Sequence, residues 1–166
     1  FSIMEIGTFT GYSLLCFAFA LKGNPNCKIE AIEINDELKY LIDEAVAKGN
    51  VADCVNVYFG DALNLESLPH ALKKYDIVFI DANKRNYPEY YNLVFPIVKK
   101  GGFIVADNVN WHGKANDAYT KKDSKSEGII KFNSLVESDS KKGLVESYLL
   151  PIRDGLYIIK KMQKKE

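Results

Sequence analysis

Short apolar runs alternate with helical patterns along the whole chain, starting at its first residue. Strands are predicted over residues 1–6, 27–34, 55–59, 75–80, 103–106, 144–150 and 156–161, and helices over residues 12–22, 35–49, 65–74, 87–99 and 127–138. This alternation is typical of an α/β protein whose sheet is mostly parallel. Only a short connection containing Asp154 and Gly155 joins the last two strands, so they are predicted to form an antiparallel pair.

The composition is that of a folded protein without a strong overall charge. The 166 residues are 47% hydrophobic, and 22 basic residues balance 22 acidic ones. We therefore expect one domain, residues 1–166, and no nucleic acid as a partner. No apolar run reaches the roughly 18–20 residues that span a bilayer, so a soluble protein without a membrane partner is expected. Cys16, Cys27 and Cys54 lack C-x-x-C spacing and are interpreted as packing residues in a reducing cytoplasm.

The turn after the first predicted strand contains two glycines. Ligands of open α/β sheets bind at the carboxyl ends of the strands, so this turn is a candidate site. Gly7 and Gly11 are spaced as G-x-x-x-G, which lets the backbone approach a ligand near a helix N-terminus. The spacing differs from the G-x-G-x-x-G of nicotinamide-dinucleotide enzymes, so the ligand need not carry a phosphate. An ordinary tight turn is the alternative.

Acidic residues follow the second and third predicted strands. Glu33 comes about twenty residues after the glycine turn, where a carboxylate accepts both hydroxyls of a ribose. Asp61, which precedes Ala62, is placed to accept a hydrogen bond from an exocyclic amine such as that of adenine. The alternatives are an exposed carboxylate at Glu33 and a plain turn at Asp61.

Polar residues also follow the fourth and fifth predicted strands. Asp81 and Lys84 come after one strand, and Asp107 and Asn108 come after the next. If these strands are neighbours, three oxygen-bearing side chains converge, as a hard divalent cation such as Mg²⁺ or Ca²⁺ requires. The alternative is a pair of strand-end turns, where Asx residues are common.

These segments and further motifs follow one another along the chain. The full set is Glu5 to Ser13, Ala31-Ile32-Glu33, Gly60-Asp61-Ala62, Phe79 to Lys84, Gly101-Gly102, Ala106 to Val109, Trp111-His112-Gly113 and Leu150 to Leu156. The combination resembles the cation-dependent S-adenosylmethionine (SAM) O-methyltransferases, the family of caffeoyl-CoA O-methyltransferase and its bacterial relatives, with catechol O-methyltransferase more distant. The resemblance implies a Rossmann-like class I methyltransferase fold: a seven-stranded, mostly parallel sheet with the last strand antiparallel and helices on both faces. Family members carry several helices before the first strand, so the chain is expected to be truncated at its N-terminus.

The resemblance also implies roles for individual residues. Gly7, Thr8, Phe9 and the rest of the turn to Ser13 would hold the methionine part of SAM, with Glu5 and Ser13 near its amino and carboxylate ends. Glu33 would bind the ribose, and Asp61 and Ala62 would border the adenine. Asp81, Asp107 and Asn108 match the ligands of a divalent cation (Mg²⁺, alternatively Ca²⁺ or Mn²⁺), and Asp81 is also expected beside the cofactor. Lys84 matches a catalytic lysine that acts either as general base or as a stabilising charge, and Asp81 is expected to be catalytic as well.

The resemblance implies an enzyme that moves a methyl group from SAM to a hydroxyl of a small catechol-like or phenylpropanoid acceptor, assisted by the cation. A cytoplasmic homodimer is expected. The alternatives are a non-catalytic binding module with a methyltransferase fold and a dinucleotide-dependent oxidoreductase. Tyr87, Tyr90 and Tyr91 are interpreted as core and surface contacts, whereas Trp111 is either an acceptor-pocket residue or a packed or rim aromatic. His70 and His112 are not spaced as a metal-binding pair.

Overall fold

The computed structural model describes residues 1–67, 74–110 and 123–163, and these residues form one twisted sheet flanked by helices. The strands are β1 (Ser2–Ile6), β2 (Lys28–Glu33), β3 (Val55–Phe59), β4 (Tyr75–Ile80), β5 (Val98–Asp107), β6 (Val145–Leu150) and β7 (Leu156–Lys161). The α-helices are α1 (Tyr12–Ala20), α2 (Lys39–Gly49), α3 (Tyr87–Val94) and α4 (Ser124–Lys141), and 3₁₀ turns cover Asp36–Leu38, Ala62–Ser67 and Lys84–Asn86.

The order of the strands in the sheet is β3-β2-β1-β4-β5-β7-β6. The pairs among β1 to β5 are parallel, whereas β7 runs antiparallel to both β5 and β6. This arrangement confirms the predicted class I methyltransferase sheet and its antiparallel last strand. Because β1 to β5 are parallel, their carboxyl ends all lie at one edge of the sheet, which is where ligands of such sheets bind.

The two faces of the sheet bury different sets of side chains. Alternate strand residues such as Met4 and Ile80 pack under α3 and α4, whereas Ile3 and Ile29 pack under α1 and α2. Side chains of successive strand residues point to opposite faces, so a strand covered on both sides is apolar throughout. The helices therefore lie on both faces, as predicted. No helix in the described parts of the chain has the length and apolar character needed to cross a bilayer.

The helix predicted over residues 87–99 is shorter than expected. α3 ends at Val94, and β5 begins at Val98 and runs through Gly101 and Gly102. Pro96 explains the difference, since proline lacks the N–H that would continue the helix and its ring clashes with the preceding turn. Of the helix predicted over residues 65–74, the described part is the end of the 3₁₀ turn Ala62–Ser67, and residues 68–73 lie outside the described residues.

The interpretation of the cysteines was wrong. Cys27 and Cys54 form a disulfide whose Cα atoms are 5.5 Å apart, and Cys16 is free and exposed rather than packed. The two half-cystines lie just before β2 and β3, which are neighbouring strands. Backbone pairing continues next to them, because the Ile29 N–H donates to the Cys54 carbonyl at 2.8 Å. The adjacency of two strand starts, which the spacing of cysteines does not reveal, brings the sulfur atoms together.

Candidate active site

A cavity of about 200 Å³ opens at the carboxyl ends of β1, β2 and β3. Its lining includes four of the residues predicted to bind a cofactor: Gly7, Glu33, Asp61 and Ala62. These residues come from three separate strand ends, and the parallel pairing of β1, β2 and β3 brings them together. The cavity lies at the ligand-binding edge that the sheet topology predicts.

The glycine turn after β1 is packed tightly against the end of β4. Gly7 has a φ of +87°, and its N–H donates to the Ile32 carbonyl at 2.9 Å. A Cβ atom at this position would lie 2.3 Å from the carbonyl oxygen of Asp81, so the turn requires glycine. The Asp81 N–H in turn donates to the Ile6 carbonyl at 3.0 Å. The glycine turn that lines the cavity and Asp81, the acidic residue after β4, are therefore in direct backbone contact.

Two backbone N–H groups fix the orientation of the Glu33 carboxylate, which is largely buried. The Phe9 N–H donates to Oε2 at 2.8 Å, and the Asn35 N–H donates to Oε1 at 2.9 Å. Phe9 has a φ of +49°, an uncommon conformation for a residue other than glycine, and its ring is exposed. Each carboxylate oxygen keeps a further lone pair, so Glu33 can accept two hydrogen bonds from a vicinal diol.

Asp61 and Ala62 form the far wall of the cavity. The Gly60 N–H donates to the Glu33 carbonyl at 2.8 Å, which ties this turn to the end of β2. Asp61 Oδ1 accepts the Leu63 N–H at 2.9 Å, which is the pattern of an Asx turn. The turn interpretation is confirmed, and the binding role of Asp61 stays a prediction that is compatible with the turn, since the turn uses only one of the two carboxylate oxygens.

Glu5 and Thr8 form a buried polar group beside the glycine turn, and the partly buried Ser13 lies next to them. Glu5 is fully buried, and its Oε2 accepts a hydrogen bond from the Thr8 hydroxyl. Burial raises the pKa of the Glu5 carboxyl, although the hydroxyls of Ser13 and Thr8 oppose this effect. Within the described residues, Glu5 Oε1 has no hydrogen-bond partner. A buried carboxylate with an unsatisfied oxygen suits a cationic group such as the ammonium of an amino acid.

The residues after β4 and β5 form a second cluster beside the cavity. Ile80 pairs with Ala106, so Asp81 and Asp107 are adjacent strand-end residues. Lys84 is largely buried, and its Nζ lies 2.6 Å from Asp81 Oδ1. The Asn108 N–H donates to Asp107 Oδ1 at 2.7 Å, with Asn108 at a φ of +57°. The structure therefore brings together the two carboxylates and the lysine that the sequence singles out.

The donor set of this cluster fits a hard divalent cation. No group of three or more His, Cys, Asp or Glu side chains is placed to hold a metal ion within residues 1–67, 74–110 and 123–163. A cation here would therefore depend on the amide oxygen of Asn108 as a third protein ligand beside Asp81 and Asp107. Two carboxylates, one amide oxygen and additional water or substrate oxygens are the ligands that Mg²⁺ or Ca²⁺ prefers.

Several cavity residues were not predicted from the sequence. Ile34, Asn83, Asn86 and Tyr90 also line the cavity, whereas the sequence predicts only a core or surface contact for Tyr90. Ile34 is exposed directly after the end of β2 at Glu33, whereas the strand predicted over residues 27–34 includes it, so its place at the cavity mouth has no sequence signal. Tyr90 reaches the cavity from α3, and no spacing rule indicates this contact. Trp111, His112 and His70 lie outside the described residues.

Comparison with known proteins places the chain in a family. A family model described as O-methyltransferase matches residues 2–162. The chain is similar to the caffeoyl-CoA O-methyltransferase of Eucalyptus gunnii. The two sequences are 35% identical over an alignment 168 residues long, which covers 96% of this chain. The chain spans only 66% of the length of that relative.

Solved structures of methyltransferases are also similar to this chain. The O-methyltransferase TomG from Streptomyces achromogenes, involved in tomaymycin synthesis and solved in complex with SAM, gives a TM-score of 0.86 at 28% identity, covering 98% of this chain and 73% of TomG. The O-methyltransferase from Bacillus cereus, solved in complex with S-adenosylhomocysteine (SAH), gives a TM-score of 0.85 at 27% identity. The match covers 96% of this chain and 73% of the Bacillus protein. The match of sequence and fold over nearly the whole chain confirms the resemblance, and the chain belongs to the O-methyltransferase family, among relatives of caffeoyl-CoA O-methyltransferase.

Proposed function

We propose that this chain transfers a methyl group from SAM to a hydroxyl of a small catechol-like or phenylpropanoid acceptor, with the help of a divalent cation. One observation carries the proposal: the glycine turn of the cavity is packed directly on the backbone of Asp81, which belongs to the cluster of acidic residues and Lys84. A cofactor in the cavity and an acceptor at the cluster would therefore be neighbours, which methyl transfer requires.

The residues around the cavity would divide the binding of SAM among them. Glu33, held by two backbone N–H groups, would accept the ribose hydroxyls, and Asp61 would accept the exocyclic amine of adenine. The unsatisfied Glu5 oxygen supports a place for the methionine ammonium near the glycine turn. These roles account for the ribose, the adenine and the ammonium of SAM, and NAD has no such ammonium, which favours SAM over NAD.

The reaction joins the sulfonium methyl of SAM to an acceptor oxygen while the carbon–sulfur bond breaks and the hydroxyl proton leaves. A neutral phenol is a poor nucleophile, since its pKa is about 10. Positive charge next to the hydroxyl, supplied by a bound divalent cation, lowers that pKa and fixes the orientation of a vicinal diol. Asp81, Asp107 and Asn108 would hold the cation. Lys84 would either take the proton or remain charged and stabilise the phenolate.

The cation dependence is tested by methyl-transfer assays on a panel of catechols and hydroxycinnamoyl esters. We expect turnover with Mg²⁺ that a chelator abolishes. Asp107→Ala should lower turnover by about 100-fold or more, because a lost ligand removes several kcal/mol of transition-state stabilisation. The affinity for SAH should stay the same, since Asp107 is not part of the cavity lining.

Asp53→Ala, which changes an exposed carboxylate before β3, is the control and should leave turnover unchanged. Equal turnover with and without the chelator would contradict the role of the cation. Binding of SAH without methyl transfer to any acceptor would instead favour the non-catalytic binding module.

A further inference from the structure

A buried tyrosine hydroxyl lies at the centre of the cluster formed by Asp81, Lys84 and Asp107. Tyr87, the first residue of α3, is fully buried. Its hydroxyl oxygen is 2.8 Å from Lys84 Nζ, 2.9 Å from the backbone oxygen of Asp107 and 3.3 Å from that of Ile80. One hydroxyl group therefore connects the lysine to the ends of both β4 and β5.

The directions of these hydrogen bonds follow from the chemistry of the groups. A tyrosine hydroxyl carries one proton, and its neighbours are the Lys84 amine, which is a donor, and two backbone carbonyl oxygens, which can only accept. That single proton can go only to a backbone carbonyl oxygen, of Asp107 or Ile80. The hydroxyl oxygen is then left to accept a hydrogen bond from Lys84 Nζ.

Two contacts fix the direction in which the lysine nitrogen can act. Nζ is tetrahedral, so it has three positions besides its bond to Cε, and two of them face Asp81 Oδ1 and the Tyr87 hydroxyl. The third position is therefore set by geometry. It carries either an N–H, if the group is charged, or the lone pair, if the group is neutral. The same arrangement would orient Lys84 in both of its candidate roles.

Tyr87 itself is held in place by α4. Its ring makes an edge contact with Phe132, with ring centroids 5.5 Å apart. α4 also approaches the 3₁₀ turn Lys84–Asn86 closely at Gly128, where a Cβ atom would lie 2.4 Å from the Lys84 carbonyl oxygen. The lysine backbone and the tyrosine ring are thus packed against the same helix, so the distance between Nζ and the hydroxyl has little freedom to change.

We propose that Tyr87 is a positioning residue, whose hydroxyl holds the Lys84 amine in the direction that methyl transfer requires. The proposal rests on the proposed function, since it assigns Lys84 to the reacting acceptor. Tyr87 is fully buried and does not line the cavity, so it acts through Lys84.

The test compares Tyr87→Phe with Tyr91→Phe, because the two tyrosines are closely matched. Tyr91 is also buried on α3, its ring also contacts Phe132, and its hydroxyl donates to Asp139 Oδ2 at 3.2 Å, away from the cluster. We expect Tyr87→Phe to lower kcat by about 10- to 100-fold, the effect of losing one hydrogen bond to a charged group. The KM for SAM should change by less than about twofold, and Tyr91→Phe should leave kcat within about twofold of wild type.

A double-mutant comparison separates positioning from a general loss of structure. If Tyr87 acts only through Lys84, adding Tyr87→Phe to Lys84→Met should cause little further loss of kcat. Lys84→Arg keeps the charge but moves the nitrogen atoms and leaves Tyr87 intact, so it tests the geometry even if Tyr87→Phe folds poorly. It should also lose about 10-fold or more in kcat. Equal kcat values for Tyr87→Phe and Tyr91→Phe, fully additive losses, or a Lys84→Arg enzyme with wild-type kcat would each overturn the proposal.

A chemical readout keeps this test separate from the proposed function. The acetylation rate of Lys84 by an N-hydroxysuccinimide ester, followed by mass spectrometry, should rise several-fold in Tyr87→Phe and stay unchanged in Tyr91→Phe. Wild-type protein that binds SAH but methylates no acceptor would end the proposed function, yet this comparison would still report whether Tyr87 holds the amine. An unchanged acetylation rate in Tyr87→Phe would contradict the holding role even in an active enzyme.

Discussion

Glu5 is a fully buried carboxyl group, and burial raises its pKa above the ordinary value of 4.5. A raised pKa means that the folded state binds more protons than the unfolded state between the ordinary and the raised value. The free energy of unfolding should therefore fall as the pH rises through this range. Above the range, the cost of the buried charge stays constant.

Glu5→Gln should remove this part of the pH dependence, because glutamine does not ionise. Urea unfolding at a series of pH values from about 4 to 8 measures it. The difference in stability between Glu5→Gln and wild type should increase in favour of the variant as the pH rises. Glu37→Gln, at an exposed position in the first 3₁₀ turn, is the control and should leave the wild-type slope unchanged. Parallel slopes for Glu5→Gln and wild type would contradict the account.

Site residues could be predicted where their chemistry depends on a position along a strand. Glu33, Asp61, Asp81 and Asp107 each stand at a strand end, and the parallel sheet alone brings them to one edge. The contact of Tyr87 with Lys84 is local, since the two residues are three apart, but its meaning depends on the packing of α4. The contact of Tyr90 with the cavity depends in the same way on how α3 lies against the sheet. Packing of this kind has no signal in the spacing of residues.

At the scale of elements, the alternation of patterns predicts the sheet well because each strand is a short apolar run of its own. The clearest error, the helix over residues 87–99, arises where one apolar segment contains both the end of α3 and the start of β5. Pro96 marks the boundary and is a better guide than hydrophobic periodicity. The disulfide was missed for a different reason: Cys27 and Cys54 are 27 residues apart, and only the pairing of β2 with β3 makes them neighbours.

The Cys27–Cys54 disulfide should stabilise the outer edge of the sheet, where β3 is the last strand. Closing a loop of this size in the unfolded chain contributes about 3–4 kcal/mol in the chain-entropy model. We expect Cys54→Ser to lower the free energy of unfolding by roughly that amount in urea denaturation without reductant. Cys16→Ser should have little effect, since Cys16 is free and exposed.

Thiol titration of the unfolded protein without reductant checks the bond directly. One reactive thiol, that of Cys16, is expected, and three would contradict the disulfide. The pairing also removes the support that free cysteines gave to a reducing compartment, so the cytoplasmic location stays a prediction.

At the scale of the whole molecule, one edge of the sheet carries both the cavity and the cluster around Lys84. The fold and the family are confirmed over nearly the whole chain, whereas the acceptor, the cation and the homodimer stay predictions. The chain spans 66% of the length of the Eucalyptus relative, so the activity of such a whole protein is a proposal for this chain. The described residues include one candidate contact each for the ribose, the adenine and the methionine ammonium of SAM: Glu33, Asp61 and Glu5.

The central claim is that the cavity binds SAM, and calorimetric titration with SAH tests it most directly. We expect one SAH per chain, and Glu33→Ala should weaken binding by at least about 10-fold, because it removes charge-assisted hydrogen bonds to the ribose. Glu37→Ala, which removes an exposed carboxylate nearby, should bind as wild type does. No binding of SAH, equal affinity of Glu33→Ala and wild type, or binding of NAD in place of SAH would contradict the account.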